Sequence, residues 1–451
     1  MTMPLSEAAA LLESPYRGAD VVFSGVSTDT RTLEKGNLFV ALQGPNFDGH
    51  HYIDHAHQRG AAAVAVSEPV SANLPALQVD DTRLALGQLA YHWRRRFQIP
   101  VVAVTGSNGK TTVKEMLAAI LQQRGPTLAT AGNFNNDIGL PHTLFRLDAT
   151  HRFAVIEMGA NQPGEIDYLA GLAAPDVAIV NNAGPAHLEG FGSLQGVASA
   201  KGELFARLSG NGVAIINADD VYAGYWRGLV KSADIIDFGL DRAAVTAQWR
   251  AELTGSHLEV ATPAGDFAAT LHLPGQHNVM NALAATAAAL ALDTPLAQIA
   301  SGLENLQPVA GRLQLRPGIR GSRLIDDTYN ANPESLQAAL DVLARQPGQR
   351  WLALGDMGEL GGDAEVLHHR AAGAAKAAGV SRLFALGELA ALTAQEFGAA
   401  ARAFDSMEAM IALLKQDIQE EVTLLVKGSR SMHMERIVVA LDAGENREVR
   451  H

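Results

Sequence analysis

Cysteine is absent from the 451-residue chain, which excludes a disulfide framework and any thiolate chemistry. Basic charge is scarce: 35 Lys plus Arg stand against 48 Asp plus Glu, a formal net charge of -13. That balance argues against a nucleic acid or an anionic membrane as partner and leaves room only for a local basic site. Residues 1–12 lack a basic lead and a long apolar core, so the start does not read as a signal peptide. The most apolar helical stretch, 279–292, is too short and interrupted to span a bilayer. No repeat of fixed period and no low-complexity tail is visible. What is present is a chain that is 47% hydrophobic, able to bury real cores, with a length suited to about two to four domains. The default expectation is a soluble cytoplasmic enzyme.

One stretch organises the rest. Val101, Val102 and Val104 form an apolar β-branched run that breaks into Thr105, Gly106, Ser107, Asn108 and Gly109. A helical pattern opens at Lys110, with Val113, Met116, Leu117 and Ile120 at spacings of three and four. Strand, glycine loop and helix is the context of a phosphate-binding loop. Backbone N–H groups of Gly106, Ser107, Asn108 and Gly109 would close around a polyphosphate, with the helix N-terminus adding partial positive charge. Lys110 would neutralise the outer phosphates, and Thr111, next to Thr112, would hold Mg²⁺ by its hydroxyl. The full motif wants a glycine where Val104 stands, so the loop is a shortened one. The competing reading is an ordinary tight turn before a helix.

The remaining segments read as α/β throughout. Residues 1–80 form a small domain with strands at 38–42 and 62–67 and a helix at 51–59 ended by Gly60. Its polar clusters, Ser27-Thr28-Asp29-Thr30-Arg31 and 44–50 with Asp48, are turns on the residues alone, though Arg31 beside hydroxyls could grip a phosphate. A helix at 82–97 leads into a middle domain, 81–311, and its Arg94-Arg95-Arg96 run suits a helix C-terminus. Strands at 101–104, 153–156, 177–180 and 213–216, with helices between them, predict a mostly parallel sheet covered on both faces. Ligands then sit beyond the carboxyl ends of its strands. Residues 247–273 alternate as an antiparallel flap, and an alanine-rich helix follows Gly275. Residues 308–312 read as a linker. The last domain, 312–451, repeats the alternation, with strands at 324–325, 351–354, 383–386 and 422–426.

Several polar residues fall where chemistry would need them. Glu157 ends an apolar strand, where a carboxylate could approach the Mg²⁺ of the loop, or be a plain solvated acid. Lys201 lies on a predicted helix, and Glu203 does not share its face. As an ammonium it would repel a metal centre, and a surface lysine remains an open alternative. Arg312 sits at the second domain joint, where a guanidinium could reach a nucleotide phosphate on closure. Asn332 is a natural N-cap for a helix begun by Pro333, whereas Asp327 and Asn330 have no such structural explanation.

At this point the residues resemble a known family, the Mur ligases, and within it the D-alanyl-D-alanine-adding branch. The motifs are TGSNGKTTVKEM, GNFNNDIGLP, EMGANQPGEI, NNAGPAHLEGFGS, KGELF, GQHNVMNALAA, DDTYNANPES, GDMGELG and KGSRSMHME, spread over essentially the whole chain. The resemblance implies three α/β domains: a small N-terminal one, a central phosphate-loop domain with a mostly parallel sheet, and a Rossmann-like C-terminal one. It implies ATP-dependent joining of D-alanyl-D-alanine to a UDP-N-acetylmuramoyl-tripeptide through an acyl phosphate, with ADP and phosphate released. Ser27, Thr28, Asp29, Arg31, Asp48, Asn135 and Asn136 would then contact the UDP-sugar substrate, against the turn reading. His277, Asn281, Arg312, Asp327 and Asn330 would hold the nucleotide. Lys201 would carry a carbamate formed with CO₂ and, with Thr111, Glu157 and His187, hold two Mg²⁺ ions. A monomer is expected. The rivals are a sister amide ligase or folylpolyglutamate synthase, which DDTYNANP and GDMGELG oppose, and a non-catalytic nucleotide-binding protein, which would not need Lys110, Glu157, His187 and Lys201 together.

Overall fold

The computed structural model describes residues 1–70, 73–208, 210–307 and 309–444. Three larger sheets follow one another along the chain. The first has five strands in the order Tyr16–Arg17, Ala76–Gln78, Ala63–Val66, Leu38–Val40, Val26–Ser27. The second is a six-stranded sheet in the order Thr127–Ala129, Phe153–Glu157, Val101–Thr105, Val177–Val180, Val213–Asn217, Asp234–Phe238. All its neighbouring strands are parallel. The third, also six-stranded, runs Gln314–Pro317, Arg323–Asp327, Val422–Lys427, Gln349–Gly355, Val380–Leu386, Ala401–Phe404, with only the Gln314–Pro317 edge antiparallel.

The parallel arrangement follows from burial on both faces. Val101, Val102, Ala103 and Val104 are all fully buried, as a central strand covered by helices on either side requires. One face packs with the Thr82–Arg94, Glu165–Ala173 and Leu194–Ala206 helices, in a core continuous with the first domain through Met3, Phe23 and Leu38. The other packs with the Lys110–Gln122, Gln276–Leu290 and Leu296–Glu304 helices. The predicted flap is a three-stranded antiparallel sheet, Thr246–Ala251, Ser256–Thr262 and Gly265–Leu271, whose inner side chains join that second core.

Some boundaries differ from the sequence reading. The helix expected at 82–97 ends at Arg94, whose buried guanidinium donates to the carbonyls of Ala173 at 3.1 Å and Phe97 at 2.7 Å. It therefore satisfies orphan carbonyls at the end of the Glu165–Ala173 helix as well as just beyond its own. The helix expected at 51–59 is a 3₁₀ turn, Gly49–Tyr52, running into Ile53–Gln58. The strands Thr127–Ala129, Asp234–Phe238, Gln314–Pro317 and Ala401–Phe404 escaped the sequence reading; they lie at or next to sheet edges, where a half-solvated, partly polar strand loses the apolar signature. Of the expected linker 308–312, Pro308 lies outside the described residues, as does 445–451 of the last segment.

Helix contacts on the second face are close. Gly302 faces the Lys110–Gln122 helix, and a Cβ there would overlap the Cα and N of Ile120. Backbone cannot yield as a side chain can, so Gly302→Ala is expected to cost about 1–3 kcal/mol. A urea midpoint equal to that of the parent chain would contradict this packing.

Candidate active site

The carboxyl ends of the central strands open into a cavity of about 890 Å³. Its floor is the loop after Val101–Thr105. Gly109 has φ +81°, and a Cβ there would collide with the side chains of Asn181 and Asn281, so both its conformation and its surroundings demand glycine. The loop is pinned from the neighbouring strand end. Asn182 Oδ1 accepts from Asn108 N at 2.8 Å, and Asn181 Nδ2 donates to Asn108 O at 3.0 Å and to Asn281 Oδ1 at 2.9 Å. Ser107 Oγ donates to Gly184 O at 3.0 Å. Gly106 itself does not line the cavity, while Ser107, Asn108, Gly109, Lys110, Thr111 and Thr112 do.

Lys110 opens the helix Lys110–Gln122 and curls back, donating from Nζ to Gly106 O at 2.6 Å. Burial pulls its amine below the usual lysine range; Glu157 opposes the shift and Arg312 adds to it. Glu157 ends its strand with Oε1 accepting from Asn135 Nδ2 at 2.8 Å, while Oε2 is buried with no hydrogen-bond partner. An orphaned carboxylate oxygen beside a lysine, with the Thr111 hydroxyl on the same loop, is the donor set a Mg²⁺ ion takes.

Lys201 is buried on Leu194–Ala206, with Nζ 5.7 Å from the Phe191 ring centroid and no hydrogen bond or ion pair among the described residues. Burial drives its amine well below the usual range, and Lys110 adds repulsion. It is absent from the cavity lining. His187 does line the cavity; its Nδ1 lies 2.7 Å from Glu359 Oε2 of the third domain, leaving Nε2 free to act as a ligand atom. Among the described residues no three His, Asp or Glu groups converge as a ready-made metal cluster.

The third domain supplies the opposite wall. Arg312 stacks on Tyr329, 3.8 Å from the ring centroid, donates to Thr111 Oγ1 at 3.2 Å, and keeps a buried Nε without a partner. Asp327 accepts from Leu313 N at 3.2 Å and pairs with Lys427, which also donates to Asn330 O at 2.9 Å. Asn330 of this domain lines the cavity, as do His277 and Asn281 from the Gln276–Leu290 helix of the middle domain. Asn332 caps the helix Pro333–Leu343 in a capping box and also reaches Asn108 Oδ1 at 2.8 Å.

The N-terminal candidates lie elsewhere. Ser27, Thr28, Asp29, Arg31 and Asp48 do not line this cavity. Arg31 pairs with Asp29, Ser27 Oγ donates to Asp29 O at 2.9 Å, Thr28 Oγ1 meets His142 Nε2 at 3.1 Å, and Asp48 caps the 3₁₀ turn at His50 N at 2.9 Å. Asn135 and Asn136 do line it, and Asn136 Oδ1 accepts from Gly139 N at 2.8 Å. Sequence reasoning missed Lys427 and Glu334. Lys427 had a signal, since it ends the buried strand Val422–Lys427 as Glu157 ends its own. Glu334 had none, because its contact with Asn108 Nδ2 at 3.0 Å joins positions far apart in the chain.

This geometry can be set beside known proteins. Residues 22–94 match "Mur ligase family, catalytic domain", 104–289 "Mur ligase middle domain", and 311–430 "Mur ligase, glutamate ligase domain". The UDP-N-acetylmuramoyl-tripeptide–D-alanyl-D-alanine ligase of Escherichia coli is 46% identical over 98% of this chain and 98% of its own. The chain belongs to the Mur ligase family, in its MurF branch. Among solved structures this Mur ligase is similar to the UDP-N-acetylmuramoylalanyl-D-glutamyl-2,6-diaminopimelate–D-alanyl-D-alanyl ligase of Acinetobacter baumannii, with TM-score 0.89, 36% identity, and 97% and 98% of the two chains covered. It is also similar to the MurF ligase of Thermotoga maritima in complex with ADP, with TM-score 0.83, 27% identity, and 92% and 96% covered. The three-domain α/β architecture is that of MurF structures.

One consequence for stability follows from the cavity wall. Burial lowers His277 from 6.5 to about 4. As the pH falls from 6.5 towards 4, the unfolded chain takes up a proton that this Mur ligase refuses when folded, so stability is lost in that window. At about 1.4 kcal/mol per unit, His277→Gln should remove up to about 3 kcal/mol of that loss. Parallel stability–pH curves for the two proteins, from denaturant titrations, would refute it.

Proposed function

We infer that this Mur ligase uses ATP to join D-alanyl-D-alanine to a UDP-N-acetylmuramoyl-tripeptide, giving the pentapeptide precursor of peptidoglycan with ADP and phosphate. The 46% identity with the E. coli enzyme of that name supports it. The observation that carries the chemistry is the buried, unpartnered Glu157 Oε2 beside Lys110 at the mouth of a glycine loop. The name of the Acinetobacter relative supports diaminopimelate as the third residue of the acceptor.

A carboxylate is a poor acyl donor, so the tripeptide carboxylate first takes the γ-phosphoryl group of ATP. The loop N–H groups and Lys110 hold the phosphates and meet the charge that develops during transfer. Asn281, His277, Asp327 and Asn330 are assigned to hold the nucleotide, and Arg312, stacked on the Tyr329 ring, to meet its phosphates from the third domain. The neutral amine of D-alanyl-D-alanine then attacks the acyl phosphate, and the tetrahedral intermediate expels phosphate as the amide forms. Ser27, Thr28, Asp29, Arg31 and Asp48 are proposed to contact the UDP-sugar on the first domain, with Asn135 and Asn136 at its reactive end. The domains are proposed to run 1–80, 81–311 and 312–451 in these roles. No described helix is long and apolar enough to cross a membrane; a cytoplasmic monomer is proposed on the family resemblance alone.

Mg²⁺ bound by Thr111 and Glu157, and a second ion by Glu157, His187 and Lys201, would supply charge neutralisation at the phosphates. Lys201 fits only once changed. An amine must be neutral to take up CO₂, and burial without an acid partner favours the neutral form. The resulting carbamate is the oxygen donor that the lone His187 lacks.

Two measurements test the reading. Products should be ADP and phosphate, formed only when both acceptor and dipeptide are present; AMP and pyrophosphate would exclude an acyl phosphate. Lys201→Arg should be inactive despite its similar length and basic side chain, because a guanidinium cannot take up CO₂. Lys201→Ala should also be inactive but regain part of its turnover with added formate or acetate. A ligase still active with Arg at 201 would sink the carbamate.

A further inference from the structure

One end of the cavity lies away from the residues proposed to hold the nucleotide. It is built by Arg83, Asp137 and Tyr168 with the turn 161–165. The helices that carry Arg83 and Tyr168 cover the sheet face opposite the Gln276–Leu290 helix. The cavity therefore passes over the carboxyl edge of the sheet, from the nucleotide side to this one.

Both charges stand on anchored backbone. Arg83 is in the first turn of Thr82–Arg94, where the N-cap Asp81 accepts from its N–H at 2.7 Å. Asp137 follows Asn136, whose side chain caps Gly139. The guanidinium meets Asp137 with Nη2 at 3.0 Å from Oδ1 and with Nε against Oδ2. Nη1 has no hydrogen bond among the described residues, and the side chains keep 49% and 31% of their surface open. An ion pair with an unused N–H edge and unused carboxylate lone pairs presents a donor array beside an acceptor array. Its complement is a group with a carboxylate and an ammonium on one carbon.

We propose that Arg83 and Asp137 bind the distal amino-acid group of the acceptor's third residue and make the enzyme selective for diaminopimelate over lysine. This rests on the ligase reading above. In diaminopimelate the distal carbon, three methylene groups from the activated centre, carries both a carboxylate for Arg83 Nη1 and an ammonium for Asp137. Burial raises the Tyr168 phenol, and Asp137 and then Asp81 add to the shift, so both carboxylates lend negative potential for the ammonium. The pair need not open, since each partner uses the edge the other leaves free. Lysine offers only the ammonium and leaves Nη1 unmatched.

The test compares kcat/KM for UDP-N-acetylmuramoyl-tripeptides ending in diaminopimelate or in lysine. The wild-type enzyme should prefer diaminopimelate by about 10- to 100-fold, the scale of one charge-assisted hydrogen-bonded contact. Arg83→Met should bring the ratio near one, Arg83→Lys should retain part of it, and Asp137→Asn should weaken both acceptors through their shared ammonium. Equal use of the two acceptors by the wild-type enzyme overturns the proposal. So does a fall of both in the same proportion in Arg83→Met, the mark of a merely structural pair. No ADP with either acceptor from the wild-type enzyme would instead overturn the ligase reading itself.

Discussion

The close approach of backbone at Gly109 to Asn181 and Asn281 is the constraint on which the site depends. It sets the loop in a left-handed conformation and hands its far side to two carboxamides. Those carboxamides belong to different elements, the end of Val177–Val180 and the helix Gln276–Leu290. The helix can come that near only because its packing face is small. Ala282, Ala284, Ala285, Ala287, Ala288 and Ala289 are all buried against the sheet and the Lys110–Gln122 helix. Phosphate chemistry at the loop and alanine composition more than a hundred residues away thus answer one geometric demand.

Three lysines then divide the electrostatic work. Burial pulls down Lys110, Lys201 and Lys427 alike. Carboxylates oppose the shift at two of them, Glu157 at Lys110 and Asp327 at Lys427, and so favour the charged form there. Lys201 has an aromatic ring and the repulsion of Lys110 instead. Burial in that setting favours the neutral amine, the state that the proposed carbamate requires.

The sequence made the parallel core legible because period and burial agree there. The runs at 101–104, 177–180 and 213–216 are apolar on both faces, and Asn332–Pro333 announces its own helix start. Edge strands such as Asp234–Phe238 and Ala401–Phe404 were not legible, since one exposed side dilutes the pattern. In the site, residues next to a strand end or a glycine loop could be picked out locally: Lys110, Glu157, Asp327. Partners were invisible. That Asp327 meets Lys427, that His187 meets Glu359, and that Arg83 meets Asp137 are facts of topology, joined by sheet order and helix packing rather than by spacing along the chain. The Ser27–Arg31 cluster shows the converse: its local hydrogen bonds were legible as a turn, and only the family resemblance spoke for a ligand there.

The contacts that bring the third domain to the loop are few and polar. Asn108 holds Glu334 and Asn332, Arg312 reaches Thr111, and His187 meets Glu359, whose side chain is 58% exposed. The bonds to Glu334 and from Arg312 have a charged partner and contribute about 1.5–3 kcal/mol each, the neutral Asn108–Asn332 bond about 0.5–1.5 kcal/mol, and the water-washed His187–Glu359 contact about 1 kcal/mol or less. The joint is therefore held largely by polar contacts, to which Gln346 on Leu253 O and Arg345 over the Trp249 ring add. A polar joint suits a site that must admit a nucleotide and a large acceptor and then release both products. Arg312 and Tyr329 fit the same logic: the ring carries the guanidinium at little cost, while the partnerless Nε is left for a ligand to satisfy. Binding energy from the nucleotide would then add to the protein's own contacts in stabilising the closed arrangement.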